Sequence, residues 1–224
     1  MIRKWLFQTF AWIVLFAVLL FVPAGTLHWP GAWVFLGFMT ASSLGFGGWL
    51  ARRDPALLAE RMRSPIQRDQ PADDKKLLAV FFLVILIWFV TMGLDKRFHP
   101  DRMPVAWQVL GLALLILSSC FIMWVFLENS FAAAVVRLQS ERGHHVISTG
   151  PYAFVRHPMY SAAVLFMVGI ALLLGSWWGT AMSPVFAILF GIRIRIEEQT
   201  LVTGLPGYAE YAARVHYRLV PGLW

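Results

Sequence analysis

The stretch MYSAAVLFMVGIALLLGSWWGTAMSPVFAILFGI, residues 159–192, decides the fold. It is apolar almost throughout and is broken near its middle by Gly175, Ser176, Trp177, Trp178 and Gly179. The pattern predicts a hairpin of two helices, each about 14 to 16 residues long, with the paired tryptophans anchoring the turn at a membrane interface. At 1.5 Å per residue each arm covers about 24 Å or less, close to the minimum for crossing hydrocarbon. A hairpin returns its two ends to one side, so whatever flanks residues 159–192 is expected to meet there.

Upstream, four more apolar runs have the length of about 20 residues that a bilayer demands. They are Trp5–Ala24, Ala32–Leu50, Leu77–Leu94 and Val105–Leu127. Hydrophobic residues make up 59% of the chain and charged residues 14%, too few for a water-facing surface. The fold class expected is all-α, a polytopic transmembrane helical protein with six spans; five spans or a re-entrant hairpin are the alternatives. The first run, preceded by Arg3 and Lys4, has too long an apolar core and no convincing small-residue cleavage site for a signal peptide, and reads as a retained helix. The organisation expected is a single integral membrane domain over 1–224, with a four-span region at 1–127 and a catalytic region with hairpin and tail at 128–224.

Charge placement sets the orientation. Of the 19 Lys and Arg, Lys96, Arg97 and Arg102 fall on one side of this arrangement and the others, Arg68 and the basic cluster of residues 52–76 included, on the opposite side. The positive-inside rule then puts both termini in the cytoplasm. The net charge of +7 is thus accounted for by topology and contact with anionic headgroups, not by a nucleic-acid partner. Cys120 is the single cysteine, so no intrachain disulfide forms. Asp54-Pro55 reads as the start of a short interfacial helix. Asp95, His99 and Asp101 are metal-ligating residue types, but a short Pro-rich loop of this kind is more often a solvated cap, and no metal is expected.

The polar chemistry gathers on the two flanks of the hairpin. His144, His145, Tyr152, Arg156, His157 and Tyr160 precede it; Arg193, Arg195, Glu197 and Glu198 follow it. Gly150-Pro151 makes a turn, and Pro158 suits the first position of a helix, where its missing N–H costs nothing. Arg156 and His157 then flank a helix N-terminus, whose free N–H groups attract an anion such as the carboxylate of an amino-acid-like cofactor. Arg193 and Glu197 share a helix face, while Glu198 is turned by about 100°. Adjacent carboxylates at a membrane boundary are costly unless they hold something, a ribose diol or a cationic centre among the candidates.

In this order and spacing the motifs resemble the isoprenylcysteine carboxyl methyltransferase family of integral membrane enzymes and its phospholipid methyltransferase relatives. The resemblance runs from Asn129 to Pro221 and rests on His144 to Tyr152, Arg156-His157-Pro158-Met159-Tyr160, Arg193, Glu197-Glu198, Gly207-Tyr208 and Tyr211. It implies a site for S-adenosyl-L-methionine closed from the cytoplasm. His144, His145, Val146 and Ile147 would contact the cofactor, as would Tyr152, the Arg156 turn, His157, Pro158, Met159, Tyr160 and Glu197. Gln139 stands near the place of a family glutamine, at a different spacing. Arg193 is associated with substrate and Glu198 with the reacting end. The activity implied is methyl transfer to a lipophilic acceptor at the cytoplasmic face of a bacterial inner membrane. O-methylation of an isoprenylcysteine-like carboxylate is one form and N-methylation of a phospholipid another. A nicotinamide-dependent membrane reductase and a lipid carrier are the rival readings; the second is disfavoured because intramembrane charges are scarce. The partners expected are the lipophilic substrate and membrane lipids.

Overall fold

The computed structural model describes residues 2–64, 66–67, 70–100 and 103–224. Arg68, Asp101 and Arg102, which entered the charge and metal readings, lie outside the described residues. The described chain is helical, with α1 (Ile2–Ala24), α2 (Pro30–Arg53), α3 (Pro55–Arg61), α4 (Ala72–Phe98), α5 (Val105–Glu128), α6 (Pro158–Leu173), α7 (Trp177–Gly204) and α8 (Tyr208–Arg214). Short 3-10 turns lie at Ser140–Arg142 and Gly150–Ala153.

Local chemistry accounts for the helix ends. Proline opens α2, α3 and α6, and Asp54 caps α3 by accepting the Leu57 N–H at 2.9 Å, so the short helix read from Asp54-Pro55 is present. In α4, Asp73 and Asp74 occupy the first turn and Lys96 and Arg97 the last, matching the helix dipole. The α6–α7 turn rests on Gly175 at φ 72°, a left-handed conformation that suits glycine. Ser176 then caps α7 through the Gly179 N–H at 2.9 Å and donates to Asp95 Oδ2 at 2.6 Å. Asp95 also lies 3.1 Å from His99 Nδ1, so the far-side acid ties the end of α4 to the start of α7.

Five helices (α1, α2, α4, α5 and α7) are long and apolar enough to cross a membrane, and α6, with 16 residues, is a shorter apolar helix. The hairpin is there, but its arms are unequal. The second was expected to end near Ile192; α7 instead runs for 28 residues to Gly204, about 42 Å. The segment that follows Ile192 begins with Arg193, Ile194, Arg195, Ile196, Glu197, Glu198 and Gln199, whose Arg, Glu and Gln propagate a helix, and Pro184 does not end it. Arg193, Glu197 and Glu198 are therefore positions within a rigid helix.

The core forms where α1, α2, α4, α6 and α7 meet, around Phe35, Trp88, Phe89, Met92 and Phe186. Trp88 donates its indole N–H to Gly179 O at 2.7 Å, pinning α4 to α7. The tightest packing joins α5 to α6: a Cβ placed on Gly111 would lie 2.3 Å from the Leu173 backbone nitrogen. Such small residues let helix backbones approach where no hydrophobic gradient pulls helices together. Phe7, Phe10, Val22, Val109 and Leu117 point outward, as side chains facing lipid do.

Candidate active site

Residues 129–149 leave α5 and cross one end of the bundle as an irregular strap, and the strap, not the hairpin alone, encloses the pocket. Asn129 starts it by accepting the Phe131 N–H at 2.8 Å and donating to the Tyr152 hydroxyl at 2.7 Å. Phe131 stacks on the His144 ring with centroids 4.6 Å apart and meets His145 edge-on at 5.1 Å. Burial, the largest influence, pushes the His144 pKa down, so the ring is neutral and its Nδ1 accepts the Gln139 N–H at 3.4 Å. Gln139 itself is fully buried beneath the strap: its Nε2 donates to Phe131 O at 2.7 Å and its Oε1 accepts from Arg142 at 2.5 Å.

The pocket between strap, α6, α7 and α8 contains about 820 Å³ of empty space, open solvent at its mouth included. His144, His145, Val146 and Ile147 line it from one side. Tyr152, Arg156, His157, Met159 and Tyr160 line it from the Gly150 turn and the start of α6, and Glu197 from α7. Gln139, Pro158, Arg193 and Glu198 stand behind this wall.

Glu197 is the carboxylate presented to the pocket. Tyr160 donates its hydroxyl to Glu197 Oε2 at 2.7 Å, and the side chain keeps 27% of its surface exposed. One turn earlier on the same helix face, Arg193 places its guanidinium 5.9 Å from the Tyr160 ring centroid. Its hydrogen bonds point elsewhere, to Asp74 Oδ1 at 3.0 Å and Ala134 O at 2.6 Å. Asp74, wholly buried, also accepts from Gln70 at 2.6 Å and from the Val136 N–H at 3.2 Å. Arg193 thus fastens the strap to α4 and α7, and its charge is matched by Asp74.

Glu198 faces the other way. It lies 2.7 Å from Arg156 Nε, 3.3 Å from His157 Nε2 and 2.8 Å from Arg218 Nε. The anion that Arg156 and His157 meet at the start of α6 is therefore the chain's own. The backbone there is also engaged: the Arg156 and His157 N–H groups donate to Tyr217 O and Arg218 O, each at 2.9 Å. Arg156 further donates to Ala212 O at 3.1 Å and Val215 O at 3.3 Å. Glu198 is the hub at which the Arg-His-Pro turn, α7 and the returning tail close on one another.

Several residues of the site were not read from the sequence as such. Asp74 reads as an acid in a helix first turn, and only the folded chain brings it to Arg193. Glu60, on α3, lies 2.9 Å from Arg137 of the strap. Tyr208 and Tyr211 belong to the motif but had no assigned role. Tyr211 donates to Tyr152 O at 2.8 Å, and burial raises its pKa to about 12. Tyr208 lines the pocket with its hydroxyl buried and without a hydrogen-bond partner among the described residues, and burial pushes its pKa up. An orphan hydroxyl beside a pocket is what a bound polar ligand would satisfy.

Comparison with known proteins finds likenesses to membrane proteins in part of the sequence and in the fold. Residues 106–205 match the phospholipid methyltransferase family model. The cobalt-zinc-cadmium resistance protein CzcN of Cupriavidus metallidurans is 31% identical over 78 residues, which are 34% of this chain and 36% of that protein. The uncharacterized protein YpbQ of Bacillus subtilis is 28% identical over 122 residues, 54% of this chain and 72% of that one. Among solved structures, the eukaryotic intramembrane Ras methyltransferase ICMT superposes with a TM-score of 0.62 at 21% identity, covering 95% of this chain and 75% of that chain. The likeness in fold thus takes in the N-terminal helices, where the family match does not reach. In its helices and its fold the chain is similar to the intramembrane methyltransferase ICMT, and over residues 106–205 it is similar to the phospholipid methyltransferases.

Proposed function

We propose that the chain is an S-adenosyl-L-methionine-dependent methyltransferase acting on a lipophilic acceptor, with its pocket open to the cytoplasmic face of a bacterial inner membrane. The observation that carries this reading is the pocket wall itself: a stretch from His144 to Ile147, an Arg-His-Pro-x-Tyr turn and Glu197 converge on one pocket. The residues suit the group. A partly exposed carboxylate at Glu197 attracts a cationic or diol-bearing ligand, apolar Val146, Ile147 and Met159 accept a flat ring system, and the Tyr208 hydroxyl has no partner among the described residues. When bound, the cofactor supplies a methyl group on a sulfonium.

The chain's own work is positioning and exclusion of water. Tyr160 holds the Glu197 carboxylate through a hydrogen bond. Arg193, tied to Asp74 and Ala134, orients the strap. Glu198, bound to Arg156, His157 and Arg218, fixes the turn that starts α6. Arg193 and Glu198 are thus read as positioning residues behind the wall. The cytoplasmic orientation rests on the distribution of Lys and Arg.

Calorimetry on purified protein in detergent tests the reading: micromolar binding of S-adenosyl-L-methionine, with none of NADPH, is expected. Binding of NADPH alone would replace it with a reductase, and binding of neither with a carrier. Mass spectrometry of lipid extracts incubated with a labelled methyl donor then identifies the acceptor. A phospholipid amine is the second reading for that acceptor, favoured by the family match at residues 106–205.

A further inference from the structure

Residues 217–224 follow α8 and return to the hairpin as an irregular loop. Its backbone polar groups are engaged by the protein. The Tyr217 and Arg218 carbonyls accept from the Arg156 and His157 N–H groups, and Leu219 O accepts from Ser161 Oγ at 2.6 Å. Trp224 O accepts from the N–H groups of Arg218 and Leu219 at 2.9 Å and of Val220 at 3.2 Å. Val220 O in turn accepts from Leu223 at 3.1 Å and Trp224 at 3.2 Å, across a reversal at Gly222, whose φ is 81°. An irregular segment satisfied in this way can leave water without stranding its N–H and C=O groups.

The side chains divide between two environments. Leu219 and Trp224 pack against the core, with the Trp224 ring 3.5 Å from where a Cβ on Gly191 would stand. Arg218 lies 5.3 Å from the centroid of that ring and reaches Glu198 with its Nε at 2.8 Å. Tyr217, Val220 and Leu223 are exposed, the last to 80%. Gly191 fixes the depth of the loop. Counted from Ser176, it lies about 22 Å along α7 and Arg195 about 28 Å, against about 30 Å of hydrocarbon. Exposed Ile188 and Ile192 flank Gly191, and Arg195 is the first exposed charge along the helix. The shorter arm, α6, is about 24 Å long and so starts short of the Arg195 level, and the loop is bonded to its first turn.

We propose that this loop is seated in the boundary between headgroups and acyl chains of an anionic leaflet. Tyr217, Val220 and Leu223 contact the lipid, and the exposed Arg195 and Arg214 meet the headgroup phosphates. Three observations support one occupant. The loop reaches the level of the lipid-facing isoleucines, its backbone is closed, and cations border it where an anionic surface would lie. Because Arg218 holds Glu198, the lipid contact extends to the hub behind the pocket.

The test is electron paramagnetic resonance on nitroxide labels, placed singly in a Cys120→Ala background and reconstituted in nanodiscs of phosphatidylcholine with phosphatidylglycerol. Accessibility to oxygen is compared with accessibility to a water-soluble nickel chelate. Labels at Val220→Cys and Leu223→Cys should favour oxygen several-fold, as Ile188→Cys does in the lipid. Thr203→Cys, about 40 Å from Ser176 along α7, should favour nickel. Pure phosphatidylcholine should raise nickel contact at 220 and 223 and leave 188 unchanged, and Arg195→Gln with Arg214→Gln should do the same in the mixed lipid. Nickel preferred over oxygen at 220 and 223 would overturn the proposal, since the loop would then be solvated. Exclusion of both reagents would overturn it as well, since a second copy of the chain or another protein would then cover the loop. Equal nickel contact in both lipid compositions would overturn the assignment to an anionic leaflet.

Discussion

Tyr160 and Arg193 illustrate two ways in which a side chain can serve the pocket. The Tyr160 hydroxyl acts on the ligand wall directly, through Glu197. Tyr160→Phe should weaken cofactor binding about tenfold or more in calorimetry with little change in thermal stability, because a charge-assisted hydrogen bond is lost while the ring remains. Arg193 acts from behind. Its pair with Asp74 is buried, so Asp74→Leu alone should cost about 3–5 kcal/mol in unfolding experiments by stranding a cation. Combining it with Arg193→Met should recover most of that loss, a non-additivity that independent residues would not show. His144 offers a pH handle. Its folded pKa lies below the ordinary histidine value of 6.5, so the stability linked to the neutral ring is complete above that pH and is lost as the pH falls below it toward the folded pKa. Protection factors in residues 129–149, corrected for the intrinsic pH dependence of amide exchange, should therefore fall on acidification below pH 6.5, and His144→Asn should flatten the response.

Among the elements, the helices were legible from apolar runs and their starts from proline and Asp54, because those signals are local. The length of α7 was not, since its charged second half looks like a sequence that has left the membrane and says nothing about whether the helix stops. Pro158 announced the start of α6, whereas the partner of Arg156 and His157 did not show in the sequence: Glu198 reaches them only because the hairpin closes and the tail returns. Asp74 was hidden for the same reason, being an ordinary first-turn acid until Arg193 arrives from the other end of the chain. Packing between α5 and α6 sets a sharper requirement. Gly111→Leu should destabilise the fold by about 1–3 kcal/mol or more, since a side chain there meets the Leu173 backbone. Gly37→Leu, on an open face of α2, should be nearly silent in the same thermal unfolding assay.

Across the whole molecule, the helices before residue 128 and the region after it hold together at two levels. At one end Asp95 ties α4 to α7 through Ser176. At the other, Asp74 and Glu60 bind Arg193 and Arg137, so the N-terminal helices contribute the anions that anchor the strap. The family match at residues 106–205 falls short of these acids, and the likeness in fold extends past them. A truncated chain lacking α1–α4 is accordingly expected to lose the strap as well as the membrane spans, read as free protease access to residues 129–149.

The single rod of α7 has one more consequence. Measured from the Gly175 turn, the helix works as a ruler, and the place of Glu197 beneath Tyr160 is a count of residues from Ser176. Adding one residue after that cap would advance everything beyond it by 1.5 Å and rotate it by about 100°, carrying the carboxylate off its hydroxyl and Arg193 off Asp74 together. Loops over the pocket can vary in length without such penalty. The span of α7 cannot, and its residue count is as much a part of the site as the side chains it delivers.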